Sequence, residues 1–273
     1  GRSVVVKEGE ELSLGKHVLT FVMAPMVHWP EVMVTYDKTE KVLFSADAFG
    51  KFGALDTQED WTCEARRYYM NIVGKYGAQV QVLLKKAAVL DIQTICPLHG
   101  PVLSENSGGK GLSYYFEKYQ TWSSYTPEDE GIVIAYASIH GNTKQAALKL
   151  ASILEEKGVK KVVCFDLARD DMAEAIEDAF RYDKMVLAAA TYDAGLFPCM
   201  ESFLAHLKSK NYQKRTIGLM ENGSWAPMAG KLMKEGLSGM KEIAVLEPVV
   251  TIKSTLNQQS EEQLKQLADA LLS

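Results

Sequence analysis

Three short segments each place a metal-ligating side chain beside residues that stiffen the backbone: Met26-Val27-His28-Trp29-Pro30, Ser45-Ala46-Asp47-Ala48-Phe49-Gly50 and Pro97-Leu98-His99-Gly100-Pro101. Two imidazoles and a carboxylate suit zinc or non-haem iron, and the two oxygens of Asp47 allow it to bridge two ions. Plainer roles fit the same residues. His28 in an apolar run can be a hydrogen-bonded core residue, Asp47 can cap the turn that follows it, and His99 can bond a backbone carbonyl. Spacing does not choose between these roles, because 19 residues separate His28 from Asp47 and 52 separate Asp47 from His99.

A second set of residues points to a bound phosphate. The loop Ser138-Ile139-His140-Gly141-Asn142-Thr143-Lys144 follows an apolar run and opens a helical one. A phosphate there meets free backbone N–H groups and the positive end of the helix dipole. The hydroxyls of Ser138 and Thr143 and the amide of Asn142 add donors, and Gly141 lets the backbone approach. The loop lacks the GK[ST] ending of a Walker P-loop. Two further loops, Thr191-Tyr192-Asp193-Ala194-Gly195 and Glu221-Asn222-Gly223-Ser224-Trp225, offer backbone groups for the edge of a flat polar ring and an aromatic side chain for its face. The first loop alone fits an N-capped helix without a ligand, and Tyr192 or Trp225 alone fits rim packing. Three such loops at the carboxyl ends of the first, third and fourth strands favour a ligand.

These loops need rigid elements behind them. From residue 130 onward, short β-branched runs alternate with helical segments. The strands fall at Ile132–Tyr136, Lys161–Phe165, Met185–Ala190, Thr216–Met220 and Ile243–Leu246. The helices fall at Thr143–Lys157, Asp171–Phe180, Cys199–Ser209, Ala226–Leu237 and Glu261–Leu272. Five such βα units predict a doubly wound parallel sheet with helices on both faces. The front of the chain differs, with strands at Val4–Lys7, His17–Met23, Val32–Tyr36 and Lys41–Ser45. Helices follow at Thr57–Tyr76 and Val80–Leu90, then a strand at Ile92–Cys96. The polar stretch from Ser123 to Glu130 reads as a linker, giving domains of residues 1–125 and 130–273.

Composition narrows the partners. Hydrophobic residues make up 47% of the 273, enough for two cores, and the net charge of -5 gives no basis for nucleic-acid binding or a membrane-surface partner. No apolar run has the length of a membrane span. The four cysteines, Cys63, Cys96, Cys164 and Cys199, never form CxxC and read as reduced core cysteines in a cytoplasmic protein. The chain opens on Gly1-Arg2-Ser3 rather than Met, as a fragment or a tagged chain would.

The SxxGNT-like loop, the five-unit alternation and the two ring loops together resemble flavodoxins, which implies one FMN bound through Ser138 to Thr143, Thr191 to Gly195 and Asn222 to Trp225. His140 stands where flavodoxins commonly have a hydroxyl residue or Tyr. Followed by this block, the segments around His28, Asp47 and His99 resemble flavodiiron proteins across essentially the whole chain. That resemblance implies an α/β chain in which the second half of an αββα metallo-β-lactamase-like domain precedes the flavodoxin-like domain. It implies His28 on one iron, Asp47 as bridge, His99 on the other iron, and Trp225 as the flavin-side aromatic that approaches a partner's iron site.

The implied activity is FMN-dependent electron transfer to a non-haem diiron site that reduces dioxygen to water, nitric oxide to nitrous oxide, or both. The implied partners are a separate electron donor, such as rubredoxin or a rubredoxin reductase system, and a second copy in a head-to-tail homodimer. The family's HxExDH ligand segment does not occur here: of the five histidines, His17, His28, His99, His140 and His206, none lies in such a motif. The expectation is therefore a diiron site incomplete in this chain, whose start corresponds to the middle of the lactamase-like domain. Two rival readings are a flavodoxin-type electron carrier with an inactive lactamase-like remnant, and a metallo-β-lactamase-type hydrolase, in which the flavin would have no task.

Overall fold

The computed structural model describes residues 3–57 and 59–273, and the chain divides into two units, Gly1–Thr126 and Pro127–Ser273. In the first unit six strands lie side by side in chain order: β1 (Glu11–Ser13), β2 (Val18–Met23), β3 (Met33–Asp37), β4 (Val42–Phe44), β5 (Thr94–Cys96) and β6 (Leu103–Ser104). Neighbours are antiparallel except β4 and β5, which are parallel and therefore need a long crossover. That crossover carries α1 (Trp61–Tyr68), a π-helical turn (Tyr69–Val73), a 3-10 turn (Gly74–Tyr76) and α2 (Gly77–Ala87). Because β3 reverses the chain once, β2, β4 and β5 run the same way. The loops bearing His28, Asp47 and His99 thus leave the sheet at one edge.

Tyr36, Leu43, Ile95 and Leu103 pair in register across four strands and are all at most 5% exposed, forming a buried row. A second core element, α3 (Leu112–Ser123), presents Tyr115, Tyr119 and Trp122 to Phe49, Trp61 and Tyr69. Several sequence expectations need correction here. Val4–Lys7 forms no strand, because the edge position beside β2 belongs to β1. The helix expected from Thr57 begins at Trp61; of the polar stretch, Ser123 closes α3 and Asp129 opens the next strand, while residues 124–128 between them lie outside helix and strand and contain the boundary between the units.

In the second unit the strands are β7 (Asp129–Ala137), β8 (Val162–Asp166), β9 (Tyr182–Tyr192), β10 (Gly195–Leu196), β11 (Arg215–Asn222), β12 (Ile243–Val245) and β13 (Val250–Ile252). The parallel order is β8-β7-β9-β11, with β12 and β13 sharing the last position beside β11 and β10 folding back antiparallel on β9. The helices are α4 (Asn142–Glu156), α5 (Met172–Arg181), α6 (Pro198–Ser209), α7 (Ala229–Leu237) and α8 (Gln258–Leu272). On one face, Leu150 and Leu154 of α4 and Leu264, Leu267 and Leu271 of α8 pack on Ile132, Ile134 and Val186. α5, α6 and α7 pack beside one another against β7, β9 and β11. The winding reverses between β7 and β9, which opens a crevice beyond their carboxyl ends.

No disulfide joins the four cysteines; Cys63 is exposed and the other three are half-buried rather than in the core. No described helix is long and apolar enough to cross a membrane.

Candidate functional site

At the end of β7 the chain turns through Ser138 to Gly141 into α4. Gly141 occupies the N-cap with φ 91°, in the left-handed region that glycine enters at little cost, and no side chain caps the helix. The hydroxyl of buried Ser138 accepts from the Gly141 N–H at 3.1 Å and fixes the turn. First-turn N–H groups of a 15-residue helix therefore face the crevice without a side-chain acceptor.

The crevice is a cavity of about 630 Å3, within the range of small-molecule sites. It is lined by Ser138, Ile139, His140, Asn142 and Thr143, by Thr191, Asp193 and Ala194, and by Asn222, Gly223, Ser224 and Trp225. Three of the sequence-derived candidates do not line it. Gly141 faces a side cavity of about 360 Å3, and Tyr192 and Gly195 face a neighbouring groove, where Tyr192 packs edge-on to Phe197 at 5.6 Å. Trp225 is 90% exposed, an indole left over the cavity mouth.

Two lining side chains are spent on the framework. Asn222 donates to Thr143 Oγ1 at 3.3 Å and to the Ser254 carbonyl at 3.1 Å, and its Oδ1 accepts from the Ser254 N–H at 3.1 Å. It ties the phosphate-type loop to the segment after β13. Thr191 Oγ1 accepts from the N–H groups of Met228 and Ala229 at 2.9 and 3.2 Å and caps α7, which is why that helix starts later than Ala226. Gly223 is held by space: a Cβ there would lie 2.8 Å from the Pro227 Cα. Sequence reasoning missed Ala190, Ala226, Met228 and Ser254 as lining residues. Ser254 reaches the cavity only through the return of β13 beside β11, and its hydroxyl meets that of Ser224 at 2.9 Å.

In the first unit the three metal-type residues converge. His28 Nε2 lies 3.2 Å from Asp47 Oδ2, and His99 Nε2 lies 3.5 Å from Asp47 Oδ1. Each carboxylate oxygen thus faces one imidazole. His99 Nδ1 lies 3.1 Å from the Lys51 carbonyl; since a carbonyl only accepts, Nδ1 carries the hydrogen and Nε2 is the nitrogen turned to Asp47. Gly50 is required beneath this ring, because a Cβ would come within 2.5 Å of His99 Cε1.

The Asp47 loop is strained and clamped. Ala46 and Phe49 take left-handed φ values of 52° and 67°, uncommon for residues with a Cβ. Buried groups hold this shape: the Phe49 N–H donates to Tyr119 OH at 2.6 Å, Trp61 Nε1–H donates to the Phe49 carbonyl at 3.2 Å, and the Ser45 hydroxyl donates to the Ala48 carbonyl at 2.7 Å. Tyr68, which sequence reasoning missed, is 6% exposed and stands edge-on to His99 at 4.6 Å. Burial first, and the charge of Asp47 second, push its phenol well above the usual tyrosine range. It closes α1 just before the π-helical turn, a local irregularity that recurs at functional sites.

Among the described residues no three His, Cys, Asp or Glu side chains enclose one point as a cage. His28, Asp47 and His99 form a line instead. Two ions sharing that line would each have one imidazole and one carboxylate oxygen, fewer donors than such ions take. The donor set therefore fits one side of a two-metal site and does not fill it. The crevice of the second unit, in contrast, meets the needs of a flavin nucleotide in both its open helix N-terminus and its size.

The ODP family beta lactamase model matches residues 2–100, and the flavodoxin domain model matches residues 133–265. A rubredoxin-oxygen oxidoreductase of Megalodesulfovibrio gigas is 30% identical over 278 residues, covering 98% of this chain and 67% of that protein. A nitric oxide reductase of Moorella thermoacetica is 29% identical over 259 residues, covering 91% of this chain and 63% of that protein. The solved structure of the rubredoxin oxygen:oxidoreductase from Desulfovibrio gigas matches with a TM-score of 0.88 at 27% identity, covering 98% of this chain and 68% of that one. The chain thus spans between 52% and 67% of the length of these curated relatives and of an uncharacterised Methanocaldococcus jannaschii protein. With a lactamase-like first unit, a doubly wound second unit and this likeness along nearly its whole length, the chain belongs to the flavodiiron protein family.

Proposed function

We propose that the chain binds one FMN in the crevice of its second unit. In the complete protein that FMN serves electron delivery to a non-haem diiron site that reduces dioxygen to water, nitric oxide to nitrous oxide, or both. The observation that carries this reading is Asp47 set between His28 and His99 in a polypeptide that also has a flavin-sized crevice. The relatives named for oxygen and nitric oxide reduction support it.

In this reading FMN supplies the capacity to take up and release electrons singly or in pairs. The α4 N-terminus holds the phosphate, with the Asn142 and Thr143 N–H groups as donors, while Ser138 keeps the turn in shape. The Thr191–Ala194 and Asn222–Ser224 backbones address the ring edge, and Trp225 covers the ring. His28 and His99 would each hold an iron and Asp47, facing both imidazoles, would be shared between them. The site is incomplete as this chain stands, so its remaining ligands come from outside these three residues. The electron donor is a separate protein of the rubredoxin or rubredoxin reductase type, the assembly is a head-to-tail homodimer, and the compartment is cytoplasmic.

The test is joint measurement of iron and FMN in the full-length polypeptide, followed by gas uptake with reduced rubredoxin. The reading requires close to two irons and one FMN per subunit with uptake of dioxygen or nitric oxide. A full-length polypeptide that cycles FMN with redox partners, binds no iron and takes up neither gas would be an electron carrier, and the reading would fail.

A further inference from the structure

We propose that Ser254 is a positioning residue for the flavin, acting through Ser224 to hold Trp225 over the ring. This rests on the flavin reading of the crevice. Both serines line the cavity, and their hydroxyls meet at 2.9 Å. Ser224 directly precedes Trp225, whose indole is 90% exposed, so packing does little to fix it. The bonds that tie this loop to the rest of the unit flank it. Before it, the Gly223 N–H donates to the Ile252 carbonyl at 3.0 Å; after it, the Met228 N–H donates to Thr191 Oγ1 at 2.9 Å. Between those ties, and among the described residues, the Ser224–Ser254 pair is the one hydrogen bond that residues 224–227 make.

The Ser254 side of this contact is rigid. The Thr255 N–H donates to the Lys253 carbonyl at 3.0 Å, closing a three-residue turn around Ser254. The φ of 70° at its centre matches the rare, strained form of the γ-turn, in a region that penalises a residue with a Cβ. The turn is held against that strain by the side chain of buried Asn222. It accepts from the Ser254 N–H and donates to the Ser254 carbonyl, both at 3.1 Å. β13 runs into the turn from one side, and on the other α8 starts from a capping box of Asn257 and Ser260. Glycine would take this backbone shape at little cost, so the reason for serine lies in its hydroxyl. A strained residue that its surroundings over-determine is a mark of ligand sites. In the open cavity water competes with the hydroxyl pair, and the bond counts for little. A flavin lying over it excludes that water, and the bond gains weight.

The experiment titrates the flavin-free chain with FMN, following flavin fluorescence, for wild type, Ser254→Ala, Trp225→Ala and the variant carrying both substitutions. Ser254→Ala is expected to weaken FMN binding about three- to tenfold. It should also leave the bound flavin brighter, because the indole that quenches it by stacking is no longer held on the ring. In the Trp225→Ala background the Ser254 substitution is expected to add no further loss, since the group it positions is gone. Equal FMN affinity and equal flavin brightness in wild type and Ser254→Ala would overturn the role of Ser254. So would an undiminished effect of Ser254→Ala in the Trp225→Ala background. Either result leaves the flavin reading intact, whereas a wild-type chain that binds no FMN overturns both.

Discussion

Asp47 is where a single side chain decides most. Its two oxygens face two imidazoles, so Asp47→Ala removes the one group that reaches both. We predict that this variant of the full-length protein loses metal uptake while FMN content is unchanged, read by metal analysis alongside flavin absorbance. Tyr119→Phe tests the clamp instead: it leaves the buried Phe49 N–H without its acceptor, which costs about 1–2 kcal/mol in denaturant unfolding. Thiol chemistry provides a pH-dependent prediction. Burial, then the charge of Glu155, pushes the Cys164 thiol up to about 11, so at pH 8 only about one thousandth of it is thiolate. Alkylation followed by peptide mass analysis should label exposed Cys63 first and Cys164 only as the pH approaches 11. The structure brings together the three residues that the family resemblance singled out, although their spacing alone left plainer roles open. Tyr68 was not singled out, since nothing in Trp61–Tyr68 distinguishes a helix-closing tyrosine beneath a histidine from an ordinary core aromatic.

Elements explain why the loops hold their shape and where pattern reading fell short. The parallel strands of the second unit are continuous β-branched runs, and their positions were legible because both faces are covered by helices. α3 escaped notice because Leu112–Ser123 carries tyrosine and tryptophan in place of an aliphatic stripe, and its partners are aromatic too. Its importance is testable: Trp122, 1% exposed and stacked on Trp61 at 6.0 Å, should cost about 3–5 kcal/mol when replaced by alanine. The cavity framework was legible as three loops, but not the fourth contributor. Ser254 enters through strand pairing that local sequence does not encode. Asn222→Ala, which cuts the loop from that segment, should weaken FMN binding and raise local hydrogen exchange around Ser254 in the flavin-free chain.

Across the whole molecule, a lactamase-like unit and a flavodoxin-like unit stand in one polypeptide, and similar proteins are named rubredoxin-oxygen oxidoreductase and nitric oxide reductase. The alternation of strands and helices made the second unit's fold readable at once, whereas in the first unit the pattern placed β2 to β5 and the lactamase-like reading depended on the short motifs between them. The central claim is that the flavin feeds the site built on Asp47. It is tested most directly by reducing the full-length protein without air, mixing it with dioxygen or nitric oxide, and following flavin reoxidation in wild type and Asp47→Ala. The account predicts fast gas-driven reoxidation in the wild type that is lost in Asp47→Ala with FMN still bound. Equal reoxidation rates in the two proteins would contradict it.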